Sequence, residues 1–152
     1  MRYLRYWKNI IRRLKLKLRG NKICKTSVIW NNVRVHGSGL SVGCMSGLGD
    51  NVVIWANSEV VIGNNVLIAA NSVITSAGHP ADIRIRHDVI SSPIRIDDYC
   101  WIGANCTILP GVHLRKNTIV AAGSVVTNQI NVLNTENSLI GGVPAKIIKK
   151  LD

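Results

Sequence analysis

An aliphatic side chain returns every sixth residue at Ile96, Ile102, Ile108, Leu114, Val120 and Val126, and Ile62, Ile68 and Ile74 keep the same beat upstream. A lone amphipathic strand repeats every two residues and a helix every three or four, so neither accounts for a strict period of six. With the aliphatic residue as the first of a hexad, the fifth is small or β-branched (Val66, Ser72, Cys106, Val112, Thr118, Ser124), whereas the third is polar at Asn64, Ser76 and Lys116. In a straight strand these three positions share one face, so the chain must bend between them. The fourth position supplies the bend, because Asn51, Asn57, Asn65, Asn71, Asn105, Gly111, Asn117 and Gly123 are of the residue types that tolerate positive φ. Short strands joined by such corners predict a triangular coil of three hexads, about 18 residues, stacked at about 4.8 Å. The expected class is all-β, a parallel β-helix.

The places where the beat changes divide the chain. From 23 to 61 it is looser (Ile29, Val35, Val42, Leu48, Ile54), with one-residue slips that mark corner insertions, and from 62 to 79 it is clean. It then stops for 16 residues, Pro80 to Arg95, and resumes at Ile96. That stretch holds Asp82, Arg84, Arg86, His87 and Asp88, so it reads as a polar loop thrown out of the solenoid at 80–95. Residues 23–152, including a tail from 128, form one domain in this reading. An apolar fraction of 47% with no Phe suits a narrow aliphatic prism.

Residues 1–22 are of another kind. The first 25 residues hold ten Lys or Arg and no acid. Leu4, Trp7, Ile11, Leu14 and Leu18 recur at 3,4,3,4 spacing, and Arg5, Lys8, Arg12, Lys15 and Arg19 follow one residue later. This is a basic amphipathic helix ended by Gly20 and Asn21. Two uses fit it: a cap on the open end of the solenoid, or peripheral association of residues 1–20 with an anionic membrane surface. Nucleic acid is not expected, since the aromatic residues lie in the apolar stripe and no reading motif is present.

Cys24, Cys44, Cys100 and Cys106 show no CxxC spacing and read as structural thiols. The first 25 residues lack the apolar run of a signal peptide. The expected setting is therefore cytoplasmic and reducing, at the inner face of the membrane if the helix binds lipid.

The hexads, the Gly78-His79-Pro80 step, the run Cys100-Trp101-Ile102-Gly103-Ala104 and the tail Gly142-Val143-Pro144-Ala145-Lys146 together resemble the hexapeptide-repeat, left-handed β-helix acyltransferases. Over about residues 28–150 the chain is most similar to the branch of the galactoside and maltose O-acetyltransferases and their relatives that acetylate bacterial polysaccharides. The resemblance supplies the left-handedness, which the period does not show. It implies acetyl-CoA as co-substrate, a sugar hydroxyl of a capsule or lipopolysaccharide as acceptor, direct attack without an acyl-enzyme, and a homotrimer with active sites between subunits. N-acetylation of an aminosugar nucleotide, acetylation of an antibiotic and a purely structural solenoid stay open beside it.

Attack of a hydroxyl on a thioester needs a base, and an imidazole titrating near neutrality suits that task. By resemblance the base is His79. Its second ring nitrogen needs an acceptor, for which Asp82, Asp88 and a backbone carbonyl are candidates. The resemblance implies the backbone N–H of Ala104 as oxyanion donor. It runs the pantetheine arm past Trp101, Ala104 and Ala122, with Thr127 further on, and puts Lys146 and Lys149 near the nucleotide phosphates. Sugar-acetylating relatives hold the acceptor with an asparagine where this chain has Gly49, which leaves Asp50, Asn51 and the loop residue His87 as acceptor-binding candidates. His113 is expected on solvated surface and His36 to be incidental. The histidines lack the clustering a metal needs, so no metal is expected. Trp101, Trp55, Leu67 and Ile119 point outward in this scheme, where a ligand or neighbouring subunit should cover them.

Overall fold

A computed structural model of the chain describes residues 2–133 and 136–152. After helix α1 (Arg2–Leu18) the chain winds into a three-sided prism, with five parallel strands on the first face, five on the third, and seven on the second, whose last strand, Ala145–Lys150, runs antiparallel to Ser138–Gly142.

Strand register turns the beat of six into three inward columns. Ile23, Val42, Ile62, Ile96 and Leu114 stack on the first face. Ile29, Leu48, Ile68, Ile102, Val120 and Ile140 stack on the second, and Val35, Ile54, Ile74, Ile108 and Val126 on the third. All of them are buried. Each contributes about 1.5–3 kcal/mol relative to exposure. The fifth hexad position also faces inward, and its serines are satisfied between coils: Ser46 Oγ donates to the Gly63 carbonyl at 2.7 Å and Ser72 Oγ to that of Gly103 at 3.0 Å.

Seven of the eight expected corner residues take positive φ, namely Asn51, Asn65, Asn71, Asn105, Gly111, Asn117 and Gly123. Asn57 does not. The corner beside it is braced by Ser76, whose hydroxyl accepts from Ser58 N at 2.9 Å and lies 3.1 Å from Ser58 O. Met45 and Tyr99 adopt positive φ as well, at 58° and 63°.

Three expectations need correction, and the helix reading is made more specific. The loop is shorter and less polar than its composition suggests. Ile94 already pairs with Val60 and is buried, so the solenoid resumes before Ile96. Ala77–Gly78 and Ile90–Ser91 pair as a small antiparallel base, and Ile83, Val89 and Ile90 are exposed above it.

The helix reading gains detail. α1 does cover the open end of the prism, but not with its apolar stripe. Asn9 accepts from Ile29 N at 2.7 Å and donates to the Ser27 carbonyl, Arg12 donates to the Ile29 carbonyl at 3.1 Å, and Leu16 is buried. The first coil presents unpaired strand groups at this end, and polar side chains satisfy them where an apolar stripe could not. Trp7, Ile11, Leu14 and Leu18 are exposed instead. Leu4 and Arg5 lie outside the residues whose side chains are described. Gly20, at φ 86°, ends the helix, and Asn21 is buried and accepts from Leu40 N.

The second correction concerns the cysteines. Cys24 and Cys44 are joined as a disulfide, because a separation of 20 residues stacks them on adjacent coils with Cα atoms 5.1 Å apart. Cys100 and Cys106 are free and buried. Four free thiols therefore no longer support a reducing compartment. Among the described residues no helix is long and apolar enough to cross a membrane. The third is His113, which is half-buried with its Nε2 2.9 Å from Asp97 Oδ2 rather than solvated.

Candidate active site

His79 stands where the third face gives way to the loop, one residue beyond the strand Ala77–Gly78. Its ring is exposed, and its Nδ1 lies 2.9 Å from the backbone carbonyl oxygen of Asp88. A carbonyl only accepts, so Nδ1 carries a proton, and in the neutral ring Nε2 is the nitrogen with the free lone pair. Of the three candidate acceptors, the backbone group is the one in place. Asp82 is engaged elsewhere: its carboxylate accepts from Arg84 N at 2.9 Å and pairs with the Arg84 guanidinium at 2.6 Å, which holds its carboxyl below the usual range.

Beside His79 lies an open pocket of about 340 Å³, lined among others by Trp55, Asn57, Thr75 and Val89. Trp55 lines it together with Val73 and Val89, and the His36 ring stacks on Trp55 with centroids 4.0 Å apart. His36 is therefore not incidental. Neither the Asp88 carbonyl nor the pocket role of Asn57 has a sequence signature, since one is a backbone atom and the other sits in a hexad slot shared with corner asparagines.

Most of the other candidates gather at a different edge, where the second face turns into the third. Ala104 and Ala122 are the first residues of stacked corners, and their N–H groups donate to no group among the described residues. Gly103 allows that stacking to be close, because a Cβ there would lie 2.6 Å from Ala122 N. Asp50 and Asn51 occupy the same edge lower in the stack. Asp50 Oδ1 accepts from Asn31 N at 2.8 Å, and Asn51 links Asn32 and Asn71 in a side-chain ladder.

Trp101 is half-exposed on the second face, in register with Leu67 on one side and Ile119 on the other. The row continues through Leu139 to Lys149, and Lys146 lies opposite Gly141 on the same outer strand. A small-residue corner with free amides, an exposed indole and two terminal lysines fit a pantetheine arm that ends in phosphates. Thr127 departs from the group, since it follows the strand Val125–Val126 on the third face. His87 is exposed on the loop. On the first face His113 Nε2 lies 2.9 Å from Asp97 Oδ2, and Arg95 Nε donates to Asp97 Oδ1 at 2.7 Å. Among the described residues no cluster of His, Cys, Asp or Glu could hold a metal ion.

Comparison with known proteins places this arrangement. A family profile described as the hexapeptide repeat of succinyl-transferase matches residues 47–76 and 93–128. The Saccharomyces cerevisiae protein YJL218W, which carries an acetyltransferase name, is 41% identical over 76% of this chain and 58% of its own length. Galactoside O-acetyltransferase of Escherichia coli is 34% identical over 77% of this chain and 57% of its own. The colanic acid biosynthesis protein WcaF of Escherichia coli is 30% identical over 89% and 72%. Among solved structures, VCA0836 of Vibrio cholerae, a hexapeptide-repeat acetyltransferase, matches with a TM-score of 0.84 at 29% identity over 95% of this chain and 81% of that one. Its complex with acetyl-CoA matches at 0.80 and 30% identity, over 91% and 75%. The chain thus spans less than three-fifths of the first two relatives, 58% and 57% of their lengths.

Proposed function

Because this chain belongs to the hexapeptide-repeat acetyltransferases, the left-handed β-helix family, we propose that it moves the acetyl group of acetyl-CoA onto a sugar hydroxyl. The carrying observation is the bond from His79 Nδ1–H to the Asp88 carbonyl, which makes Nε2 the basic nitrogen of the neutral ring, on a residue that lines an open pocket. In this reading Nε2 takes the proton of the acceptor hydroxyl as its oxygen attacks the thioester carbon. The Ala104 N–H donates to the carbonyl oxygen while negative charge grows on it. The imidazolium then returns its proton to the departing thiolate, so the products are an acetyl ester and a free thiol. Trp101, Ala104 and Ala122 line the arm of the co-substrate, Lys146 and Lys149 its phosphates, and Thr127 a more distant part.

His79 and Ala104 lie on different edges of the prism, separated by the width of the third face. That width is roughly 15–20 Å at about 3.3 Å per residue. One chain cannot bring both to the same carbonyl. A homotrimer with each site between two subunits can, and it also explains the exposed apolar rows at Trp101, Leu67 and Trp55. Asp50 and Asn51 share the edge of Ala104, so the same pairing carries them, with His87 of the loop, toward the acceptor. Trp55 and Asn57 complete the acceptor pocket from the His79 side.

Relatives named for galactosides and colanic acid support a sugar as the acceptor class. We take it to be a hydroxyl on a surface polysaccharide or its precursor, modified at the inner face of the membrane. A thiol-release screen with acetyl-CoA against oligosaccharides, nucleotide aminosugars and antibiotics tests this. The reading expects release with oligosaccharides and a loss of at least ~100-fold in His79→Ala. Release with aminosugar nucleotides alone overturns the acceptor class. Failure to bind acetyl-CoA in calorimetry overturns the enzyme.

A further inference from the structure

The apolar stripe of α1 points directly away from the body it caps. At about 100° per residue, Trp7, Ile11, Leu14 and Leu18 fall within an arc of about 60°, and Asn9, Arg12, Arg13 and Leu16 fall on the opposite side. The second group holds the solenoid. The first is exposed by 60%, 49%, 53% and 88%, an arrangement that neither the cap nor the strands require. A helix that had only to close the prism would turn these side chains inward, and its polar side outward.

The charge around the stripe is equally one-sided. Residues 1–49 contain eleven Lys or Arg and no Asp or Glu, while residues 50–152 contain eight of each. The whole formal charge of +11 therefore belongs to the helix and the coils next to it. Lys8, Lys15 and Arg19 are exposed along one flank of the stripe and Lys17 along the other. An outward apolar ridge fenced by cations, on a helix of low length and high polarity, is suited to lie in the plane of a lipid surface with its apolar side chains among the acyl chains.

We propose that α1 is a membrane-docking element that seats Trp7, Ile11, Leu14 and Leu18 in an anionic lipid surface while Asn9, Arg12 and Leu16 keep the solenoid attached. The opposite sides of one helix thus hold the enzyme and the bilayer. Because the helix is fixed to the first coil by hydrogen bonds, docking also fixes which end of the prism faces the lipid. This surface is independent of the acetyl-transfer reading, since vesicle binding needs neither acetyl-CoA nor acceptor.

The test is flotation of the full chain with vesicles of phosphatidylcholine alone and of phosphatidylcholine with phosphatidylglycerol, beside the double variant Leu14→Glu, Leu18→Glu. Both positions are exposed, so the variant should keep the wild-type melting temperature and acetyl-CoA affinity. The expected result is binding to the anionic vesicles at least ~10-fold stronger than to the neutral ones, weakened by salt, and lowered at least ~10-fold in the variant. Equal binding by variant and wild type overturns the proposal, as does equal binding to both vesicles. Sedimentation showing that the wild type loses a subunit contact when Leu14 and Leu18 become Glu also overturns it, because a second copy then covers the stripe.

Discussion

The Nδ1–H of His79 donates to the backbone carbonyl of Asp88 across 2.9 Å, so the loop itself, and not a carboxylate, sets the tautomer of the ring. The side chain of Asp88 should accordingly be dispensable. Asp88→Ala is expected to keep acetyl transfer within about threefold of wild type, whereas His79→Gln should lose at least ~100-fold with acetyl-CoA binding retained. A large loss in Asp88→Ala, measured by thiol release, contradicts the backbone assignment.

Asp97 sits between Arg95 and His113 on the first face. Burial raises its carboxyl pKa, but the bonds from Arg95 and His113 together outweigh burial and leave it below the usual value. A folded-state pKa below the unfolded one stabilises the protein above the unfolded value, near 3.9, and the benefit fades as pH falls toward the folded one. Asp97→Asn should therefore cost about 1 kcal/mol at pH 7, and the two melting curves should converge below about pH 4. A constant difference from pH 7 to pH 3 goes against the ion-pair account.

The thiol of Cys100 is pushed up to about 12, chiefly by burial, and that of Cys106 is raised for the same reason. Both stay protonated through the neutral range, so neither is a competent nucleophile. Folded protein at pH 8 should leave both unmodified by a disulfide reagent over an hour, and guanidinium should release both to rapid labelling. Prompt modification of the folded protein counts against the buried placement.

These residues show where sequence reasoning reaches and where it stops. The column through Ile74 and Ile108 was readable because a period of six has one geometric solution, and the positive φ of Asn71 and Asn105 follows from the same pattern. The orientation of α1 was not readable, since periodicity marks an apolar stripe without saying what lies against it. The answer depends on the open strand end at Ile29, which Asn9 and Arg12 satisfy. Cys24 and Cys44 look unrelated until a coil of 20 residues stacks them. The loop ended early because Ile94 continues a first-face strand that composition alone assigns to the loop. The Gly78-His79-Pro80 motif singles out His79, but the group that meets its Nδ1 is a main-chain oxygen that no residue type announces.

The separation of His79 and Ala104 by a whole face leads to a test of the shared site. Ala104 is the first residue of a corner whose second residue, Asn105, has φ 57°, a place that accepts proline. Ala104→Pro should remove the N–H while preserving the fold, and so abolish transfer as His79→Ala does. If each site takes His79 from one chain and Ala104 from the next, a one-to-one mixture of the two variants forms some interfaces with both groups intact. Random assembly into trimers yields about a quarter of wild-type activity, since each interface needs an intact group from each of two chains. The mixture must be refolded or co-expressed so that subunits exchange, and sedimentation must confirm mixed trimers. Activity no higher than that of the separate variants means that both groups act within one chain, or that one of them does not act at all.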